Sequence, residues 1–303
     1  MHHRRFAAFT AALATTLLVA RCNGSSPSGP SPGDGGTGPP ITTTTTIYAA
    51  GDIGECGFGA LETGKLLDRL PGGTILALGD LAYMNGTAAN FRDCYNPAWG
   101  RHIERTRPVP GNHEYENARH DASDYFDYFG DLAGPRGLGY YAFTSGSWRI
   151  VALNSEIPFG VGSPQLTWLR QELQSNRFQC TLAYWHRPLF SSGPNGNNVD
   201  TRILWTTLIE FGADVVLNGH DHMFERFERQ DAQGVADSVV GMRQFTVGTG
   251  GAHLYVPGAP KPNSVIRGST YGILFMTLLN NSYQWDFVSV DNSFRDTGSG
   301  GCH

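Results

Sequence analysis

Five short clusters of polar residues carry side chains able to hold a metal ion. They are Gly51-Asp52-Ile53-Gly54, Gly79-Asp80-Leu81-Ala82-Tyr83, Gly111-Asn112-His113-Glu114, the lone His186, and Gly219-His220-Asp221-His222. Carboxylate, phenolate, imidazole and amide oxygen together suit hard or borderline divalent and trivalent metals, and none of the clusters supplies a soft sulfur. Seven ligands, Asp52, Asp80, Tyr83, Asn112, His186, His220 and His222, exceed what one ion takes. They suit two ions if one carboxylate bridges. Alone, Asp52 or Asp80 reads as a cap for the element that follows, Tyr83 as a packed loop aromatic, and His220 and His222 as surface histidines. The order and joint presence of the clusters is what singles them out.

What must position them is legible in the flanking residues. Each cluster follows an apolar run at once or nearly so. Runs over 46–50, 74–78, 149–153, 181–185, 214–217, 243–247, 273–279 and 283–290 are short and rich in Ile, Val, Leu and aromatics, and read as strands, several buried on both faces. Helices are expected over 60–70, 164–176 and 201–211. The second has Ser163 as N-cap and Pro164 at the first helical position, and the third ends at Gly212. Strand–helix alternation indicates an α/β fold, and the consecutive strands joined through Asn280-Asn281 make the sheet mixed. In open α/β sheets ligands bind beyond the carboxyl ends of the strands, so the five clusters converge on one rim. The glycines before Asp52, Asp80, Asn112 and His220 are expected to let the backbone turn sharply there.

The series GDxG, GDxxY, GNHE, a strand-end His and GHxH resembles the metallophosphoesterase (calcineurin-like) superfamily, and within it the purple acid phosphatases. The likeness runs in order from about Tyr48 to His222 and more weakly through Gly248-Thr249-Gly250-Gly251. The common superfamily form opens with D-x-H; here Gly54 stands in place of that His and Tyr83 appears instead, the purple-type variation. The resemblance implies a mixed β-sandwich flanked by helices in four α/β/β/α layers. It implies one ion held by Asp52, Asp80, Tyr83 and His222 and a second by Asp80, Asn112, His186 and His220, with Asp80 bridging. Fe3+ is expected at the Tyr83 side, with Fe2+, Zn2+ or Mn2+ at the other. Two ions about 3.5–4 Å apart would bind phosphate oxygens and lower the pKa of a water, whose hydroxide attacks phosphorus in line. His113 is then a phosphate contact or the acid for the leaving alkoxide.

One departure bears on the substrate. Relatives often carry another histidine in the loop after the strand-end His, whereas Ser191-Ser192-Gly193-Pro194-Asn195-Gly196 has none. Asn195 is the nearest substrate-binding candidate, joining Asn112 and His113; it can hydrogen-bond a phosphate oxygen but cannot transfer protons near neutral pH. The function expected is a phosphomonoesterase. A phosphodiesterase or nucleotidase on the same site and a non-catalytic metal- or phosphate-binding surface protein are the alternatives. Gly59 to Lys65 nearly matches a phosphate-binding P-loop, but Leu66 cannot take the Ser/Thr position on Mg2+, so this reads as a helix start. From residue 47 onward no G-x-S-x-G elbow or H-E-x-x-H helix is present. His102, His120, His253 and His303 lack comparable support, although His253 lies near the Gly248–Gly251 turn.

Composition sets the remaining frame. The chain has 303 residues, 40% hydrophobic, with a net charge of −5, which offers no basic face for a nucleic-acid partner. Arg4 and Arg5, an uncharged stretch over 6–20 and Arg21-Cys22 read as a secretory signal over 1–21. As a helix that stretch spans only about 22 Å, short of the hydrocarbon core. Leu18-Val19-Ala20-Arg21-Cys22 also resembles a lipoprotein box, with Arg21 where Gly or Ala is usual, which makes Cys22 a candidate lipid anchor. Residues 22–46, rich in Ser, Gly, Pro and Thr, read as a flexible spacer before a catalytic domain over 47–303. An exported chain would be periplasmic, secreted or lipid-anchored, and its other four cysteines would pair. Four cysteines allow three pairings. Cys56–Cys94 is expected because both follow the first two strands, and Cys180–Cys302 because a terminal segment can fold back beside the strand starting at Cys180.

Overall fold

A computed structural model describes residues 44–70 and 72–303. The signal over 1–21, Cys22 and most of the spacer lie outside the described residues. Thr45 and Thr46, read as the end of the spacer, already belong to the first strand.

In chain order the strands are β1 (Thr45–Ala50), β2 (Thr74–Leu78), β3 (Thr106–Val109), β4 (Tyr141–Ser145), β5 (Trp148–Ala152), β6 (Cys180–Tyr184), β7 (Val215–Asn218), β8 (Phe224–Phe227), β9 (Arg243–Val247), β10 (Ser264–Gly268), β11 (Gly272–Leu278), β12 (Ser282–Ser289) and β13 (Arg295–Gly301). They form two sheets, ordered β13-β12-β11-β1-β2-β3 and β10-β8-β9-β7-β6-β5-β4. In the first sheet β1, β2 and β3 are parallel and form one edge, with β11, β12 and β13 antiparallel on the other side; in the second β5, β6, β7 and β9 form a parallel centre with antiparallel strands at both edges. The mixed α/β architecture expected from the sequence is the one observed.

Side-chain alternation explains the four layers. Ile150 and Ala152 of β5 and Leu182 and Tyr184 of β6 enter the core shared with Ile47, Ala49, Ile75 and Ala77 of the first sheet. Their neighbours Val151, Leu153, Ala183 and Trp185 point the other way, onto Leu166, Leu169 and Leu173 of the Pro164–Ser175 helix and Leu204 and Leu208 of the Arg202–Glu210 helix. Central strands buried on both faces therefore read as continuous apolar runs. The Pro164–Ser175 helix starts as anticipated, with Ser163 Oγ accepting from the Leu166 N–H at 3.1 Å. The Phe58–Asp68 helix covers the first sheet. Its threonine, Thr63, is tied to the Gly250 carbonyl at 2.5 Å and fixes the helix against the rim.

Several strands were not anticipated. β3 contains Pro108, which an edge strand tolerates because one side needs no ladder donor. β13 reads RDTGSGG, without strand propensity, yet pairs with β12 along its whole length. Its glycines make room: a Cβ at Gly298 would lie 2.2 Å from the Trp285 ring, and one at Gly300 would lie 2.5 Å from the Tyr283 ring. The two anticipated disulfides, Cys56–Cys94 and Cys180–Cys302, are both formed.

Candidate metal centre

The five clusters lie at the carboxyl ends of β1, β2, β3, β6 and β7, so both sheets feed one rim. The turns that deliver the side chains differ from the sequence expectation. Asp52, Asp80 and His220 themselves take left-handed φ values of 58°, 51° and 72°, a conformation unusual for non-glycine residues and concentrated at functional sites. Of the four preceding glycines only Gly79 has positive φ. Gly111 and Gly219 serve instead by close approach: a Cβ at Gly111 would meet Asp80 Oδ1 at 2.2 Å, and one at Gly219 would meet Asp52 Oδ2 at 2.6 Å.

Asp52, Asp80, Tyr83, His186 and His222 are buried. Tyr83 Oη lies 3.1 Å from Asp52 Oδ1, 3.1 Å from His222 Nε2 and 3.4 Å from Asp80 Oδ2. His222 Nε2 is 3.3 Å from Asp52 Oδ1. On the other side Asp80 Oδ2 is 3.0 Å from His186 Nε2, and His186 Nε2 is 3.2 Å from His220 Nδ1. The same oxygen of Asp80 thus faces both groups. Position 54 has no room for the histidine of a D-x-H motif, since a Cβ there would lie 2.5 Å from the Leu81 carbonyl.

Hydrogen bonds to the backbone fix each ring. His186 Nδ1 donates to the Leu78 carbonyl at 2.9 Å, and His222 Nδ1 donates to that of His253 at 2.7 Å, which leaves both Nε2 atoms toward the cluster. The Tyr255 ring stacks on His222 at 4.2 Å. Asp52 Oδ2 accepts the His220 N–H at 2.9 Å, and Asp80 Oδ1 accepts that of His113 at 2.9 Å.

The electrostatics call for a cation. Burial disfavours charge on His186, yet Asp80 and then Asp52 outweigh it and raise its pKa to about 10. Burial, followed by the charges of His186 and Arg187, lowers His220 to about 2. Burial and the carboxylates of Asp52 and Asp80 push the Tyr83 phenol well above its usual value. Asn112 Oδ1 is buried and accepts no hydrogen bond. Oxygen and nitrogen donors at this spacing, with an orphaned amide oxygen on the residue next to His113, fit metal binding through oxygen and imidazole nitrogen.

Other residues complete the rim, and sequence reasoning missed most of their roles. Glu114 accepts four backbone N–H groups, from Asp80 at 2.9 Å, Leu81 at 2.8 Å, Ala82 at 3.2 Å and Gly111 at 2.7 Å. Burial and Asp80 raise its pKa to about 8 while those N–H groups pull it down. Asp221 bonds Ser191 Oγ and, at 3.0 Å, the Asn195 N–H, so the 191–196 loop is held against the histidines. Asn195 does reach the rim, where its amide donates to the His220 carbonyl at 3.0 Å. Arg187 Nε bonds Glu156 at 2.9 Å and its Nη1 lies 3.2 Å from His220 Nε2. His253 lies against His222. His102 pairs with Asp68 and His303 with Asp214, while exposed His120 faces the Tyr115 carbonyl. The one available signal was the acidic residue beside a ligand motif, as in Glu114 and Asp221.

The sequence profile of calcineurin-like phosphoesterases matches residues 45–224, which is more than half of the chain. The chain belongs to the calcineurin-like phosphoesterase family. Within the family it is 29% identical to purple acid phosphatase 15 of Arabidopsis thaliana over 218 residues, 60% of this chain and 41% of that protein. It is 25% identical to the Fe(3+)-Zn(2+) purple acid phosphatase 12 of the same plant over 215 residues, 63% of this chain and 46% of that protein. The chain thus spans less than half the length of these two relatives. The fold is that of the purple acid phosphatase PPD1 from yellow lupin, with a TM-score of 0.74 at 19% identity over 85% of this chain and 54% of that one.

Proposed function

We propose that this chain is an exported phosphomonoesterase of the purple acid phosphatase type, working with two metal ions. Asp52, Asp80, Tyr83 and His222 would hold Fe3+, and Asp80, Asn112, His186 and His220 would hold Fe2+, Zn2+ or Mn2+. The observation that carries this reading is Asp80 Oδ2, which lies 3.0 Å from His186 Nε2 and 3.4 Å from Tyr83 Oη and so stands between two donor sets. A relative named for an Fe(3+)-Zn(2+) pair supports the mixed assignment. When bound, such a pair supplies Lewis acidity toward phosphate oxygens and brings the pKa of water into the working range.

The remaining work falls to side chains. His113 Nδ1 donates to the Met84 carbonyl at 2.5 Å and has Glu116 Oε2 at 3.0 Å, while its Nε2 lies 3.8 Å from Asp80 Oδ2. That orientation turns Nε2 toward the cluster, where it can bind a phosphate oxygen or protonate the leaving alkoxide. If His220 gives its Nδ1 lone pair to an ion, its Nε2 carries the proton and no longer accepts from Arg187. The guanidinium, still gripped by Glu156, is then available to a substrate oxygen alongside the Asn195 amide.

The disulfides Cys56–Cys94 and Cys180–Cys302 support an oxidising compartment, and with it export through the signal over 1–21. Among the described residues no helix is long and apolar enough to cross a membrane. A panel of monoester and diester model substrates, run with metal analysis on the same sample, tests the reading. Metal-dependent turnover of monoesters over diesters is expected. Preference for diesters would move the assignment to a phosphodiesterase or nucleotidase, and metal binding without turnover to a binding protein.

A further inference from the structure

Outside the clusters, an exposed pair sits at the rim. Glu55, one residue before the Cys56–Cys94 bridge, turns its carboxylate onto His253, nearly 200 residues away. Oε2 accepts the His253 backbone N–H at 2.6 Å, and Oε1 accepts from its ring Nδ1 at 3.1 Å. The next link is the His253 carbonyl, which takes Nδ1–H of His222 at 2.7 Å. Because that bond occupies Nδ1, His222 directs Nε2 to Tyr83 Oη at 3.1 Å and Asp52 Oδ1 at 3.3 Å. We infer that Glu55 is a positioning residue for the Tyr83-side ion: it places the His253 carbonyl that orients His222.

Its exposure argues against a role in stability. The His253 side chain is 60% exposed and that of Glu55 31%, and exposed pairs of this kind add little to folding. What the pair does fix is residue 253, its N–H directly and, across its Cα, the carbonyl of the next peptide unit, and with that carbonyl the tautomer and ring angle of a ligand, the kind of outer contact that shapes metal affinity. His222 is held from two further sides, by the stacked Tyr255 ring and by the Tyr255 N–H donating to its own carbonyl at 2.9 Å. Neither of those contacts selects which ring nitrogen carries the proton; the His253 carbonyl does.

The inference rests on the two-ion reading, and the experiment separates the two. Metal-free full-length protein is titrated with Zn2+ against a competing chelator, giving two affinities for wild type, Glu55→Ala, Glu55→Gln, His253→Ala and His222→Ala. Glu55→Ala should weaken one ion by about 10–100-fold and leave the other unchanged, the usual range for an outer-contact loss. Glu55→Gln and His253→Ala, which keep the acceptor for the backbone N–H, should weaken the same ion less. A Tyr83 phenolate on Fe3+ is expected to give a visible charge-transfer band, and in iron-loaded protein that band should shift in Glu55→Ala alone among the three. Two unchanged affinities in Glu55→Ala, or an equal fall in both, would overturn the inference. If His222→Ala itself retained both ions at wild-type affinity, the two-ion reading would fail instead. Should Glu55→Ala not fold, Glu55→Leu decides, since it keeps the side-chain bulk and removes both acceptors.

Discussion

Glu114 and Asp80 are 34 residues apart in the chain, yet one carboxylate oxygen of Glu114 accepts the backbone N–H of Asp80 at 2.9 Å. With its other three bonds this makes Glu114 the clasp between the loops after β2 and β3, the loops that present Asp80, Tyr83, Asn112 and His113. Glu114→Gln would turn an NH2 group toward backbone N–H donors in a fully buried pocket. A loss of about 2–4 kcal/mol is expected, since each buried group left unpaired costs about 1–3. In a domain of this size that lowers Tm by roughly 5–15 °C. Thermal unfolding in chelator and in metal measures it, and an unchanged Tm in both would refute the clasp.

His113→Ala should lower turnover of an alkyl phosphate by roughly 10²-fold or more, the usual contribution of a positioned acid. An activated leaving group such as a nitrophenolate should suffer less because it needs less protonation. Both ions should remain bound, for the His113 ring meets Asp80 through Nε2 at 3.8 Å and the backbone N–H that Asp80 accepts survives the substitution. Loss of metal, or equal damage to both substrates, would remove His113 from the role of acid.

Tyr83 supplies a spectroscopic test. Burial and two carboxylates hold its phenol in the protonated form, so only a strong Lewis acid such as Fe3+ makes it a phenolate ligand. Iron-loaded, oxidised protein should be purple or pink, and Tyr83→Phe should bleach the band with the fold intact. A colourless sample in which two metals and oxidised iron are both measured would sink the assignment.

The Cys180–Cys302 bridge should matter to stability and not to metal. β6 begins at Cys180 and delivers His186 beyond its opposite end, and the bridge closes a span of 122 residues. Replacing both cysteines by serine should cost about 2–4 kcal/mol in urea unfolding. Metal stoichiometry should stay at the wild-type value; a fall would mean that the bridge supports the rim as well.

Much of the site was readable because its donors are local to strand ends. An apolar run followed at once by Gly-Asp, Gly-Asn-His or Gly-His-x-His places a side chain at the end of a parallel strand wherever that strand sits in the sheet. The core strands were readable for the same reason, being buried on both faces and so apolar throughout. The sequence alone therefore determined the α/β class, the family and the strand ends from which Asp52, Asp80, Tyr83, His186, His220 and His222 come together. Tertiary structure decided how they are held. Glu114 finds its four N–H partners, Glu55 finds His253, and Asp221 holds the 191–196 loop only because distant loops share one rim. β13 forms because β12 offers an open edge and two glycines admit the Trp285 and Tyr283 rings. Pairing across tens or hundreds of residues leaves no period in the local sequence, since its free energy comes from the partner and not from the segment.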